Sequence, residues 1–188
     1  MFVGRKYELD NLNKSYDRGI FQFPVIYGRR RVGKTTLINE FCNGKKTIYF
    51  VAVQSTAKEN LEILSAQILR TLVPDAPQNP FSTFREAIEY VFESAKTQRI
   101  ILAIDEYPYL ANSDAAVSSI LQAAIDKHQA ESKHTKLFHD SLLILVYRWV
   151  FNAALPYTTT SNTLAPSNST HFAYVCFFTP LRKSNVSI

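Results

Sequence analysis

Cysteine is scarce in this chain of 188 residues: Cys42 and Cys176 are the whole complement. Two thiols so far apart fit neither a disulfide framework nor a zinc-binding spacing. They are read as free thiols in a reducing compartment. The N-terminus lacks the apolar segment of a secretory signal, so a cytoplasmic location is expected. Long apolar runs are missing as well. The longest, residues 142–155, is broken by Arg148 and Asn152 and falls short of the roughly 20 residues that a membrane-spanning helix requires. No membrane span is expected.

Acidic residues are absent from one whole region. All 16 lie between Glu8 and Asp140, and residues 141–188 carry only Arg148, Arg182 and Lys183 as formal charges. More than half of the net charge of +5 therefore comes from this segment. The basic composition is accordingly a weak argument for a nucleic-acid partner.

What is present is a globular composition, 46% hydrophobic and 20% charged, at a length that suits one ordinary domain. Residues 5–18 carry Leu9, Leu12 and Tyr16 on one helical face. Residues 23–27 form a short apolar run ending at Gly28, read as a buried strand. Residues 34–42 read as a helix, 47–53 as a β-branched and aromatic strand, and 57–72 as an amphipathic helix. A proline-rich loop at 73–80 precedes a helix over 81–96, a buried strand over 100–104 and a helix over 114–129. Residues 142–147 fit a fourth strand. Apolar strands alternating with helices predict a parallel sheet covered on both faces.

Gly28-Arg29-Arg30-Arg31-Val32-Gly33-Lys34-Thr35 matches G-x-x-x-x-G-K-[ST] between a strand and a helix. In that context the backbone N–H groups surround phosphates, and Lys34 supplies a point charge to the β- and γ-phosphate oxygens. Thr35 would ligate Mg²⁺, and Thr36 would bond a further phosphate oxygen. Arg29, Arg30 and Arg31 read as loop residues at the nucleotide or at a subunit interface, with a nucleic-acid patch as the alternative. The strand over 100–104 runs into Asp105 and Glu106, placing both carboxylates at the carboxyl edge of the sheet, where α/β proteins bind ligands. Asp105 would hold Mg²⁺ through its water shell, and Glu106 would polarise the attacking water.

Three segments resemble the archaeal-type ATPase family, a branch of the AAA+/STAND P-loop ATPases. They are Phe2-Val3-Gly4-Arg5 with Glu8-Leu9, Ile26 to Leu37 around the glycine loop, and Ile104-Asp105-Glu106-Tyr107-Pro108-Tyr109-Leu110. The resemblance implies a three-layer α/β/α fold with a parallel sheet ordered 5-1-4-3-2, incomplete at its C-terminal end. It also implies ATP binding, Mg²⁺-dependent hydrolysis and a nucleotide-driven conformational switch. Val3, Gly4 and Arg5 become candidate contacts to the adenine or ribose; read alone, they are an N-terminal turn. Tyr107 and Tyr109 are expected as structural cover over the sheet edge. A homo-oligomer or a protein is the implied partner, and DNA is a partner for intact relatives only.

The likeness spans residues 1 to about 130 and fails after about 136; residues 1–140 are expected as the ATPase domain. Beyond that point the γ-phosphate sensor and arginine finger that the resemblance implies are absent. Residues 141–188 are expected to form an aberrant, poorly structured tail whose first residues supply the fourth strand. A frameshift near 137–146 is the favoured origin, and a divergent extension is the alternative. The fifth strand has no obvious candidate; residues 172–178 are the one apolar run left. Without such a strand, the one before the glycine loop becomes an exposed edge. Weak ATP binding and poor turnover follow. A nucleic-acid-binding module and a P-loop small-molecule kinase stand as other readings. His128, His134, His139 and His171 lack metal-ligand partners at suitable spacing and are expected on the surface.

Overall fold

The computed structural model describes residues 5–17, 21–28, 31–75, 77, 79–132, 142–148, 162–163 and 173–177. Its elements are α1 (Lys6–Tyr16), β1 (Pro24–Gly28), α2 (Lys34–Cys42), β2 (Thr47–Val51), α3 (Ala57–Leu72) and α4 (Phe84–Ser94). They continue with β3 (Ile101–Asp105), α5 (Tyr107–Ser113), α6 (Ala116–Ser132), β4 (Leu142–Arg148), β5 (Asn162–Thr163) and β6 (Ala173–Phe177).

Local chemistry sets several of these boundaries. Thr56 and Thr83 are extended residues whose hydroxyls accept from the N–H groups of Glu59 at 3.2 Å and Glu86 at 3.1 Å. Each satisfies a first-turn donor that the helix leaves open. The Glu86 carboxylate also accepts from the Ser82 N–H at 2.9 Å, closing the same turn from the other side.

The sheet order is β2-β3-β4-β1-β6-β5. Strands β2, β3, β4 and β1 are mutually parallel, with Tyr49 opposite Ala103, Ala103 opposite Ile144, and Val25 opposite Leu145. Strand β4 thus lies between the strand that ends at Gly28 and the one that ends at Asp105. This is the arrangement 1-4-3-2 that the resemblance implies.

The far side of β1 departs from an all-parallel sheet. There β6 pairs antiparallel, Gly28 opposite Ala173 and Pro24 opposite Phe177, and β5 pairs antiparallel with β6. A parallel neighbour needs a crossover that carries the chain back to the starting end, whereas an antiparallel one re-enters from the end it left. Among the described residues, only β5 lies between β4 and β6.

Alternation along the strands divides the core in two. Ile26, Ile101 and Ala103 face α1 and α2, where they pack with Leu12, Leu37, Ile38 and Phe41. Val25, Ile48, Phe50, Leu102 and Ile104 face the other way, toward α3, α4, α5 and α6. The result is three layers, helices on either side of the sheet.

The structure adds one element and corrects one expectation. Residues 107–113 form their own short helix, α5. The buried Tyr107 fixes it to α6 through a 2.7 Å hydrogen bond between the Tyr107 and Ser118 hydroxyls. His128 is not on the surface: it is 6% exposed, with its ring 4.6 Å from that of Phe92, because the apolar stripe of α6 carries it inward. His134, His139 and His171 lie outside the described residues. Among the described residues no helix is long and apolar enough to cross a membrane.

Candidate functional site

Parallel strands bring their carboxyl ends to one edge, and the motif residues collect there. Strand β1 ends at Gly28, and the chain enters α2 through Gly33, whose φ of +76° is a left-handed conformation. Glycine adopts it without the cost a Cβ would add. Lys34 begins α2, and its Nζ donates to the Gly28 carbonyl at 3.0 Å, so the ammonium bridges the two ends of the loop. Thr36 is exposed on the first turn of α2, and Arg31 is exposed in the loop with φ +62°. Arg29 and Arg30 lie outside the described residues.

Thr35 and Asp105 are neighbours. The Thr35 hydroxyl donates to Asp105 Oδ2 at 3.1 Å. Asp105 is 6% exposed, and a buried carboxylate requires donors. It has two more: the Tyr49 hydroxyl on the same Oδ2 at 2.7 Å and the Glu106 N–H on Oδ1 at 2.8 Å. Burial pushes the Tyr49 hydroxyl well above its ordinary range, and the Asp105 carboxylate adds to the shift. Tyr49 is therefore a hydrogen-bond donor at any physiological pH.

Glu106 follows in a left-handed conformation, φ +52° and ψ +39°, as the N-cap of α5. Such a conformation in a residue with a Cβ costs of order 1–2 kcal/mol and gathers at sites where function fixes the backbone. Glu106 is half-buried at the sheet edge.

The N-terminal segment reaches the same loop. Arg5 caps α1, and its Nη2 donates to the Val32 carbonyl. Its Nε lies 4.0 Å from where a Cβ on Gly33 would stand, and its Nη1 is buried without a hydrogen bond. Burial lowers the Arg5 pKa, with the Glu8 carboxylate opposing the shift. Val3 and Gly4 lie outside the described residues.

The structure thus joins Gly28, Lys34, Thr35, Asp105 and Glu106 at one edge, with Arg5, Val32 and Gly33 against them. Sequence reasoning missed Tyr49. It sits in an ordinary aromatic strand, and its position becomes visible once β2 is paired with β3.

The donor set suits a hard cation. It offers a hydroxyl and one carboxylate, and among the described residues no group of three or more His, Cys, Asp or Glu could hold a metal ion. Magnesium is commonly bound this way, by one or two carboxylates together with substrate phosphates.

Comparison with known proteins gives three matches. A family model described as an ATPase domain predominantly from Archaea matches residues 2–141. An uncharacterized protein of Methanocaldococcus jannaschii is 34% identical over 137 residues, covering 73% of this chain and 28% of the relative. An uncharacterized ATP-binding protein of the same organism is 48% identical over 46 residues, covering 24% of this chain and 78% of that protein. The chain therefore spans well under a third of the longer relative.

Proposed function

From the premise that this chain belongs to the family of ATPase domains predominantly from Archaea, we propose that it binds ATP together with Mg²⁺ at the carboxyl edge of its sheet. The observation that carries the reading is the 3.1 Å contact between Thr35 and Asp105, beside Lys34 on the first turn of α2. The likeness to a protein named as ATP-binding supports it.

Each residue has a role in this reading. The N–H groups at the start of α2 face the phosphates, where the helix dipole favours negative charge. Lys34 exchanges its bond to the Gly28 carbonyl for the β- and γ-phosphate oxygens. Thr36 and the loop residues Arg29, Arg30, Arg31 and Val32 complete the cradle. Thr35 and Asp105 hold Mg²⁺, which when bound neutralises charge developing on the phosphates. Glu106 orients and deprotonates the attacking water. Arg5, with Val3 and Gly4, lines the base or ribose side, which its contact with Val32 supports.

Hydrolysis by this chain is expected to be weak, because the residues beyond 141 lack the family's sensor and arginine finger. In longer relatives, turnover would drive a conformational switch in a partner or in further domains. We infer that a frameshift near residues 137–146 produced the segment that follows. In support, the family match and the acidic residues stop at nearly the same point. Sequencing the locus tests this, and close relatives sharing the tail in one intact frame would refute it.

The central experiment is binding of a fluorescent ATP analogue with Mg²⁺, alongside phosphate release. Lys34→Ala should abolish binding. Equal binding by Lys34→Ala and the parent chain would reject the site.

A further inference from the structure

Tyr49 lies at the metal corner of this site although nothing in its own segment marks it. It stands on β2 in register with Ala103, two residues before the pair Val51 and Asp105. One face of a strand recurs every second residue, at a rise of about 3.3 Å per residue. Tyr49 and Asp105 therefore share the sheet face that packs against α2, offset along the strands by a distance that a phenol spans. The Tyr49 hydroxyl meets Oδ2 at 2.7 Å, the same oxygen that accepts from Thr35 at 3.1 Å, while the Glu106 N–H holds Oδ1 at 2.8 Å. Three donors from three separate elements fix both oxygens of one carboxylate.

We propose that Tyr49 is a positioning residue for Mg²⁺: its hydroxyl locks the Asp105 carboxylate in the rotamer that presents Oδ2 to Thr35. The assignment rests on Thr35 and Asp105 being the Mg²⁺ corner of an ATP site. Without the hydroxyl, Asp105 keeps Thr35 and the Glu106 N–H but gains freedom to turn, and the metal must restrain it on binding. The phosphate contacts of Lys34 and the loop do not depend on Tyr49, so nucleotide affinity without metal should be unaffected. Groups that orient a metal ligand typically alter metal affinity by an order of magnitude or more when removed.

The test is binding of a fluorescent ATP analogue to the full chain, in EDTA and across a Mg²⁺ titration, with thermal melts to check folding. Tyr49→Phe keeps the ring and removes only the hydroxyl. It should raise the Mg²⁺ concentration for half-maximal effect about tenfold or more while leaving affinity in EDTA unchanged. Tyr49→Leu, a second variant without the hydroxyl, should shift the midpoint the same way. In an Asp105→Asn background, Tyr49→Phe should add nothing further. An unshifted Mg²⁺ midpoint in a folded variant overturns the proposal. So does an equal loss of affinity with and without metal, or full additivity with Asp105→Asn. A parent chain whose binding is insensitive to Lys34→Ala would overturn the ATP site itself, and the proposal with it.

Discussion

Asn60 holds Val53 by both of its backbone polar groups. Its Oδ1 accepts from the Val53 N–H at 2.9 Å, and its Nδ2 donates to the Val53 carbonyl at 3.0 Å. Nδ2 also reaches the Thr56 carbonyl at 3.2 Å, and the side chain is fully buried. The turn from β2 into α3 is thus closed by one amide, in the way a neighbouring strand would close it.

Replacing Asn60 by Ala should therefore be costly. It leaves the half-buried Val53 N–H without its acceptor, while the Val53 carbonyl keeps the Ser55 N–H at 2.8 Å, a loss of about 1–3 kcal/mol. Urea unfolding should show a lower midpoint with a nearly unchanged slope. A variant with the parent midpoint would mean that water replaces the amide.

Glu106 leads to the opposite expectation. Glycine accepts φ +52° without Cβ crowding, at the expense of a more disordered unfolded chain. Glu106→Gly should leave stability level or raise it by up to about 1 kcal/mol, and should eliminate phosphate release. A clear fall in melting temperature would show that the carboxylate, not the backbone, holds this turn.

At Gly33 the cost of a side chain should be conformational rather than steric. The nearest heavy atom to an added Cβ, Arg5 Nε, lies at an ordinary 4.0 Å, whereas the backbone has φ +76°. Gly33→Ala should destabilise by about 1–2 kcal/mol, and Gly33→Asn by less, since Asn tolerates this region. Thermal melts of the two variants decide it; equal losses would point to crowding instead.

Glu93 supplies a pH signature. Its carboxylate is held below the usual range, chiefly by the hydrogen bond from Lys96 at 2.7 Å, with the Lys96 and Lys127 charges helping and slight burial opposing. A depressed pKa in the folded state adds stability above the unfolded-state pKa and loses it as pH falls through the folded value. The pair is solvent-exposed, so Glu93→Gln should cost less than about 1 kcal/mol at neutral pH. The difference from the parent should begin to shrink as the pH falls below the unfolded carboxylate value of about 4.3 and vanish below the folded value. Denaturant unfolding at neutral pH and in acid measures both, and an undiminished difference in acid would assign the effect to packing.

Much of this molecule is legible in its residues. The apolar runs that become β1, β2 and β3 stand out because both faces of the sheet are covered. The helix over 57–72 keeps its expected bounds, whereas the one expected over 81–96 starts only at Phe84, where the Thr83 hydroxyl caps it. Thr35 and Asp105, 70 positions apart in the chain, lie within hydrogen-bond distance. What escaped depends on pairing across strands. Tyr49 acquires its neighbour from the register of β2 on β3, which no local pattern encodes. The antiparallel entry of β6 beside β1 is likewise set by where the chain leaves β4. His128 was misread because one imidazole on an amphipathic helix looks the same on either side until Phe92 is placed.

The position of β4 has a consequence for the order of synthesis. Strands β1 and β3 carry the two halves of the site but do not touch; each pairs instead with β4, which is made later. A nascent chain ending before residue 142 holds the glycine loop and Asp105 without the ladder that sets their spacing. Such non-local pairing is a slow step, and apolar edges wait unpaired until it is complete. Nucleotide binding should therefore appear abruptly with chain length, once residues 142–148 have emerged, rather than growing as the earlier motifs are made.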